Sequence, residues 1–307
     1  MIVDRALVCL GSALFLLVAA CAPEAPIGEL DEELTADESR PIVGGTSAAA
    51  YPEAVLVDMK KNGSVVGVCS GAMIAPRVVL TAGHCVHGFD GWRVKAPFAG
   101  GQVQSSSEGA TYDWTSDGQY VDPNQHDVGL VFLDGPISLP SYPTVASQRV
   151  AWGTKVRNVG RIDDGVTSHT ALFVGPEVAA QNGATVGFPL SYRSAETIQS
   201  GDSGGPVVLP GPAPHTIVAV NSGAGGGLQV LARVDLLHAW IQSGIDAMAS
   251  EPEAQPAPAD PCQGIDYAGT CQGSKVVWCE NGALQSLSCG TKKSCGWSAG
   301  KGYYDCL

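Results

Sequence analysis

Short apolar segments alternate with turn residues from Ile42 to about Ser250. They include AVLVDM (54–59), SVVGVC (64–69), RVVLTA (77–82), DVGLVFL (127–133), TKVRNVG (154–160), PVVL (206–209) and TIVAV (216–220). This spacing predicts strands of a β-barrel or sandwich rather than βαβ units. The region closes with VDLLHAWIQSGIDAM, Val234 to Met248, whose apolar residues recur at helical intervals and predict one terminal helix packed on the strands. A length of 307 residues allows one large or two small cores, and 39 glycines favour strands joined by turns.

The two ends read differently. Residues 1–21 pair a short start containing Arg5 with an apolar run from Ala6 to Ala20, the pattern of an export signal and too short for a membrane span. Val18, Ala19, Ala20 and Cys21 are similar to a bacterial lipobox, in which the cysteine is lipidated and becomes the mature N-terminus; the alternative is an ordinary cleavage site with a chance cysteine. Residues 22–41 hold seven acids and one base and read as a propeptide or spacer. Residues 250–261 are proline-rich and read as a stiff linker. These two segments carry most of the net charge of −13, so the charge says little about substrate and offers no basic surface to nucleic acid. Beyond Cys9 and Cys21, eight cysteines remain: Cys69, Cys85 and six between Cys262 and Cys306. That even count suits an oxidising compartment. The tail at 262–307 is too small to hold together without three disulfides, whose 15 connectivities stay open, and it has no CxxC pair to suggest zinc.

The stretch TIQSGDSGGPVV, Thr197 to Val208, sets a serine among glycines inside an apolar strand pattern. One reading is a tight turn, since glycine supplies positive φ and proline sets the exit. The other is a backbone that holds Ser203 as a nucleophile among bare amides. Two earlier segments supply the groups such a serine needs. VVLTAGHCVHG (78–88) puts His84 just after a strand, and QHDVGLVFL (125–133) puts Asp127 at a strand start. A serine hydroxyl is a weak nucleophile near neutral pH and needs an imidazole to take its proton. The imidazole needs a carboxylate to fix its tautomer and stabilise its charged form.

Together with IVGG (42–45), CSGAMIAPRVVLTAGHC (69–85), HDVGLVFL (126–133) and GDSGGP (201–206), these residues resemble the trypsin/chymotrypsin-like serine proteases over about 200 residues. The resemblance implies an all-β fold of two six-stranded antiparallel barrels with a C-terminal helix at 42–249, followed by the small disulfide-rich region. It implies Ser203 as nucleophile, His84 as general base then acid, Asp127 as the group orienting His84, and the amides of Gly201 and Ser203 as the oxyanion hole. It also implies a Cys69–Cys85 disulfide across the histidine loop. Cleavage before Ile42 would free an amine to pair with Asp202, so an activating protease is an implied partner beside the polypeptide substrate. Here Arg40 and Pro41 precede Ile42, and proline blocks a trypsin-like cut after Arg40. Thr197 stands where the family places the base of the S1 pocket. An acid there selects Arg or Lys; threonine implies no such preference, and small or medium apolar P1 residues instead. The wall is matched to NSGAGGG (221–227), and Ala219 is matched to the family's serine at the triad's edge.

No cofactor or metal is expected: His87, His126, His169, His215 and His238 form no HExxH or other ligand spacing. The one membrane contact expected is a lipid anchor at Cys21, with the chain exported to the cell envelope or secreted after processing. Two other functions remain. One is a surface lipoprotein with a silent protease-like scaffold, whose tail binds through Trp278, Trp297, Tyr303 and Tyr304. The other is an esterase, for which GDSGGP lacks the GxSxG elbow context.

Overall fold

The computed structural model describes residues 45–250, apart from 117, 119 and 164, and residues 261–307, apart from 263 and 292. The leader with Cys21, the acidic spacer, Ile42 and the linker at 251–260 lie outside the described residues.

The first half is a curled sheet of seven strands. They are β1 (Ala54–Lys61), β2 (Ser64–Ala75), β3 (Val78–Thr81), β4 (Gly91–Ala96), β5 (Gln102–Ser106), β6 (Glu108–Thr111) and β7 (Gly129–Phe132). Their order is β5-β4-β1-β2-β3-β7-β6, and every pairing is antiparallel. The outer strands β5 and β6 do not pair with each other but are separated only by Ser107, so the sheet curls into a half-barrel.

The second half closes completely. β8 (Thr154–Gly160), β9 (Val178–Asn182), β10 (Ser191–Ala195), β11 (Pro206–Val208), β12 (Thr216–Gly225) and β13 (Leu228–Arg233) run in the order β8-β9-β10-β13-β12-β11. β11 returns to pair with β8 at Arg157↔Val208 and Asn158↔Val207. The two expected barrels are therefore one closed six-stranded barrel and one curled half-barrel.

Helix α1 spans His238–Ser250. It starts later than the periodicity at Val234 predicts, because Val234 still donates to Val218 on the sheet and Asp235–Leu237 form a 3₁₀ turn. No described helix is long and apolar enough to cross a membrane.

The strands read as continuous apolar runs because both of their faces are covered. In β1, Val55 and Val57 pack with Met73, Val79 and Val131 inside the half-barrel. Ala54 and Leu56, on the opposite face, join a core shared with Leu80 and Leu130 from the first half, Val159 and Val220 from the second, and Ile241 of α1. A third cluster, with Val156, Ala180, Tyr192, Val207, Val218 and Leu231, fills the closed barrel. Each fully buried Val or Leu contributes roughly 1.5–3 kcal/mol, so the shared core holds the two halves together.

The C-terminal region forms a three-stranded sheet, β14 (Thr270–Gln272), β15 (Lys275–Glu280) and β16 (Ala283–Ser288), and a hairpin, β17 (Cys295–Ser298) and β18 (Tyr303–Cys306). Of the 15 connectivities, the structure selects Cys262–Cys279, Cys271–Cys295 and Cys289–Cys306. Cys69 and Cys85 are joined across 16 residues.

Closing a loop of that length constrains the unfolded chain by about 3 kcal/mol. Replacing both Cys69 and Cys85 by alanine is expected to lower the unfolding free energy by about 2–4 kcal/mol, read as a fall in the urea midpoint with a steeper slope, because the unlinked denatured chain exposes more surface.

Candidate active site

His84 sits on a single 3₁₀ turn, Gly83–Cys85, immediately after β3. The disulfide to Cys69 pins one side of this turn, and the Trp92 indole N–H donates to the Cys85 carbonyl at 2.9 Å. A side chain at Gly83 would meet Trp114 Cβ at 2.8 Å and Asp127 Oδ1 at 3.2 Å, so glycine here lets the carboxylate come close.

Asp127 is buried at the entry to β7. Its Oδ1 accepts the His84 backbone N–H at 2.9 Å, and its Oδ2 lies 2.8 Å from His84 Nδ1. Oδ2 also accepts the Ser222 hydroxyl at 2.7 Å. With a carboxylate as its partner, Nδ1 carries the proton and Nε2 is left as an acceptor. Burial disfavours the His84 imidazolium, but the Asp127 charge and hydrogen bond outweigh it, so the pKa lies above the ordinary histidine value.

Ser203 lies on the turn before β11, held from both halves of the molecule. From β2, Ser70 N–H donates to the Ser203 carbonyl at 2.8 Å and Ser70 Oγ donates to the Gly201 carbonyl at 3.1 Å. From β12, the Asn221 carbonyl accepts Gly204 N–H at 2.7 Å, and Asn221 N–H donates to the Gly205 carbonyl at 2.9 Å. Gly201 has φ +108°, a backbone state that disfavours other residues. Among the described residues, neither the Gly201 nor the Ser203 amide donates a hydrogen bond. Ser203 and His84 line one cavity, without a hydrogen bond between them. In unliganded sites that bond is commonly long and tightens around substrate.

The cavity has a volume of about 760 Å³. Ile198, Leu228 and Val230 give it apolar walls, and Ser222, Gly223, Ala224 and Gly225 form a backbone-rich side. Among the described lining residues the one acid is Glu196, which accepts the Gly227 N–H at 2.8 Å and braces the hairpin between β12 and β13.

A family model described as Trypsin matches residues 42–241. The chain belongs to the trypsin family. No curated protein matches it. Among solved structures it is similar to a scabies mite inactivated protease paralogue, with 17% identity and a TM-score of 0.55 over 66% of this chain and 99% of that one. It is also similar to human heparin binding protein, with 22% identity and a TM-score of 0.52 over 70% of this chain and 100% of that one. At these identities the likeness concerns the fold.

Within the trypsin frame the structure brings His84, Asp127, Ser203 and Gly201 to one place from widely separated segments. Thr197 stands behind the cavity surface, with its N–H donating to Gln229 Oε1 at 2.8 Å and its hydroxyl within 3.3 Å of Asn158 Oδ1. The edge of the triad is Ser222 and not Ala219, which is buried inside the closed barrel. Ala219 pairs with Arg233 in the regular part of β12, whereas Ser222 is the extra residue of the bulge between Asn221 and Gly223. A serine directly preceding the glycine-rich wall was the available signal.

Asp202 is fully buried; its Oδ1 accepts Ile162 N–H and its Oδ2 accepts Gln199 N–H, both at 2.9 Å. Burial pushes its carboxyl up to about 6, against the pull of those amides and of the Arg161 charge. In the unfolded chain the group titrates near ~4, so it favours the fold while protonated, and this contribution is lost as pH rises toward 6. The cost of the buried charge at neutral pH is about 3 kcal/mol. In a chain that retains residues 22–41, Asp202→Asn is expected to raise the unfolding free energy by up to about 3 kcal/mol at pH 7–8 and by little at pH 4. Urea denaturation across that range checks this, and an equal gain at both ends would contradict it.

Proposed function

We propose that the chain is an exported serine endopeptidase of the trypsin family that cleaves through an acyl-enzyme. One observation carries the reading: an imidazole anchored by a buried carboxylate shares a cavity with Ser203, whose amide and that of Gly201, two residues earlier, donate no hydrogen bond among the described residues.

In the proposed cycle, His84 Nε2 takes the Ser203 proton as Oγ attacks the scissile carbonyl carbon. The negative charge moves to the carbonyl oxygen, where the Gly201 and Ser203 amides receive it; one such donor is typically worth about 3–4 kcal/mol. The C–N bond then breaks, with His84 protonating the leaving amine, and water repeats the sequence to free Ser203. Asp127 keeps Nδ1–H oriented throughout and stabilises the imidazolium, and Ser222 steadies Asp127.

Cleavage before Ile42 would supply an amine for Asp202, replacing an uncompensated buried charge with a pair. The leader at 1–21 and the four disulfides support export into an oxidising compartment. Lipidation at Cys21 and release by the activating cut belong to the same proposal.

For the P1 residue, the apolar walls and the absence of an acid at Thr197 support small or medium apolar side chains. A second reading comes from the likeness to an inactivated paralogue: a silent scaffold whose C-terminal region binds. Polyanion binding of the kind named for the heparin binding protein is opposed by charge, because the chain from Ile42 onward stays net negative even after the acidic spacer is removed.

A fluorophosphonate that acylates activated serines separates the two. Wild type processed to begin at Ile42 is expected to label stoichiometrically, with a rate that rises as pH passes the elevated His84 pKa, whereas Ser203→Ala stays unlabelled. Absence of labelling in the processed wild type favours the scaffold. A peptide library is expected to show Ala, Val or Leu ahead of Arg and Lys at P1 by about tenfold or more, and dominant cleavage after basic residues would refute the pocket assignment.

A further inference from the structure

Outside the cavity, four charged side chains form a line from the C-terminal region to the nucleophile turn. Asp266 Oδ2 pairs with Arg93 Nη2 of β4 at 3.2 Å. Arg93 holds Asp58 of β1 through Nε at 3.1 Å and Nη2 at 2.7 Å, both on Oδ2. The other oxygen, Oδ1, takes Arg161 Nη1 at 3.2 Å. Side-chain exposure falls along this line from 40% at Asp266 to 21%, 10% and 1% at Arg161.

Arg161 begins the segment against which the turn rests. The next amide, Ile162 N–H, donates to Asp202 at 2.9 Å, and Ile162 Cδ1 would lie 2.9 Å from a Cβ at Gly201. A second contact reaches the same side chain. The Trp297 ring stands 6.5 Å from that of His169, whose Nδ1 is 3.4 Å from Arg161 Nη2.

Charge balance gives the line a direction. Arg161 also donates to the carbonyls of Cys69 at 3.1 Å and Ser168 at 2.8 Å, which satisfy its N–H groups but bring no opposing charge. Asp58 is its ion-pair partner, and Asp58 is shared with Arg93. Asp266 supplies the fourth charge and makes the set neutral. Without it, Arg93 keeps the Gly264 carbonyl at 3.5 Å, which brings no charge, and its whole positive charge falls to Asp58, pulling that carboxylate toward Arg93 and away from Arg161.

We propose that the C-terminal region is a positioning element for the oxyanion turn: Asp266, through Arg93 and Asp58, fixes Arg161 and with it the segment that supports Asp202 and Gly201. The consequence for turnover rests on the protease reading, but the coupling itself is measured without turnover.

The test uses the full chain, with amide exchange followed by mass spectrometry over 158–168 and 199–205, beside hydrolysis of an activated ester. Asp266→Asn keeps an acceptor for the Gly269 N–H, which the native carboxylate holds at 3.1 Å, so the local turn survives. Exchange in both segments is expected to quicken about threefold, and kcat to fall by a similar factor at unchanged KM, as suits a half-exposed link. Asp266→Glu restores both values, and Arg93→Gln gives the same loss should Asp266→Asn disturb the C-terminal region. Unchanged exchange in both Asp266→Asn and Arg93→Gln overturns the proposal whatever the turnover. Faster exchange in a protein whose wild type never turns over ester supports the coupling and counts against the protease reading instead.

Discussion

The turn that carries Ser203 is wedged between two folded halves, and the steric limit at that wedge governs the rest of the site. A Cβ on Gly204 would collide with Thr81 Oγ1 and stand 2.7 Å from Ala82 N on the half-barrel side. One on Gly205 would collide with the Val159 carbonyl and stand 2.9 Å from Asn221 Nδ2 on the closed-barrel side. Backbone atoms cannot yield as a flexible side chain can, so both positions must be bare. The turn in return ties the halves together, because Ser70 grips it from β2 and Asn221 grips it from β12. The Ser203 hydroxyl therefore emerges where neither half alone could hold it.

Order beneath the cavity comes from buried amides rather than charges. Gln229 accepts the N–H groups of Thr197 and Ile198 and donates to Asn158 and Ser194. Asn158 donates to Asn221, which donates to the carbonyls of Val159 and Asp202. This network carries the position of the cavity wall to the Ser203 turn with its members hydrogen-bonded, which makes a buried polar core specific without leaving a large desolvation cost. Asp202 is the contrast. Its neighbours supply hydrogen bonds but too little opposing charge, so it remains a carboxyl whose ionisation works against the fold.

Much of the fold was legible because the apolar strands are covered on both faces. AVLVDM is apolar at successive positions since Ala54 and Leu56 meet the shared core while Val55 and Val57 meet the half-barrel interior. β10, SYRSA, gave no such pattern, because its buried Ser191 and Ser194 are polar and are accommodated only by tertiary contacts. Nothing in the residues around Arg161 marks it as buried, yet it is almost wholly buried, a state that requires Asp58 from a strand more than 100 positions away. Ser222 is matched by sequence to the pocket wall within 221–227, and only its hydrogen bond to Asp127, 95 positions away, places it at the edge of the triad.

The chain by itself determined the chemistry of the parts: a histidine in a glycine-tight turn after a strand, an aspartate at a strand entry, and a serine among glycines. It also determined that eight cysteines would be shared two and six between the regions. These are matters of residue type and short-range backbone preference, which a window of ten residues contains. Tertiary structure alone decided which donors meet Asp127, which residue braces it, why Thr197 lies behind the cavity wall, and which disulfide pattern the C-terminal region takes. Each of those is a distance between positions tens to more than a hundred residues apart, and such distances exist only once the sheets have closed and their cores have packed.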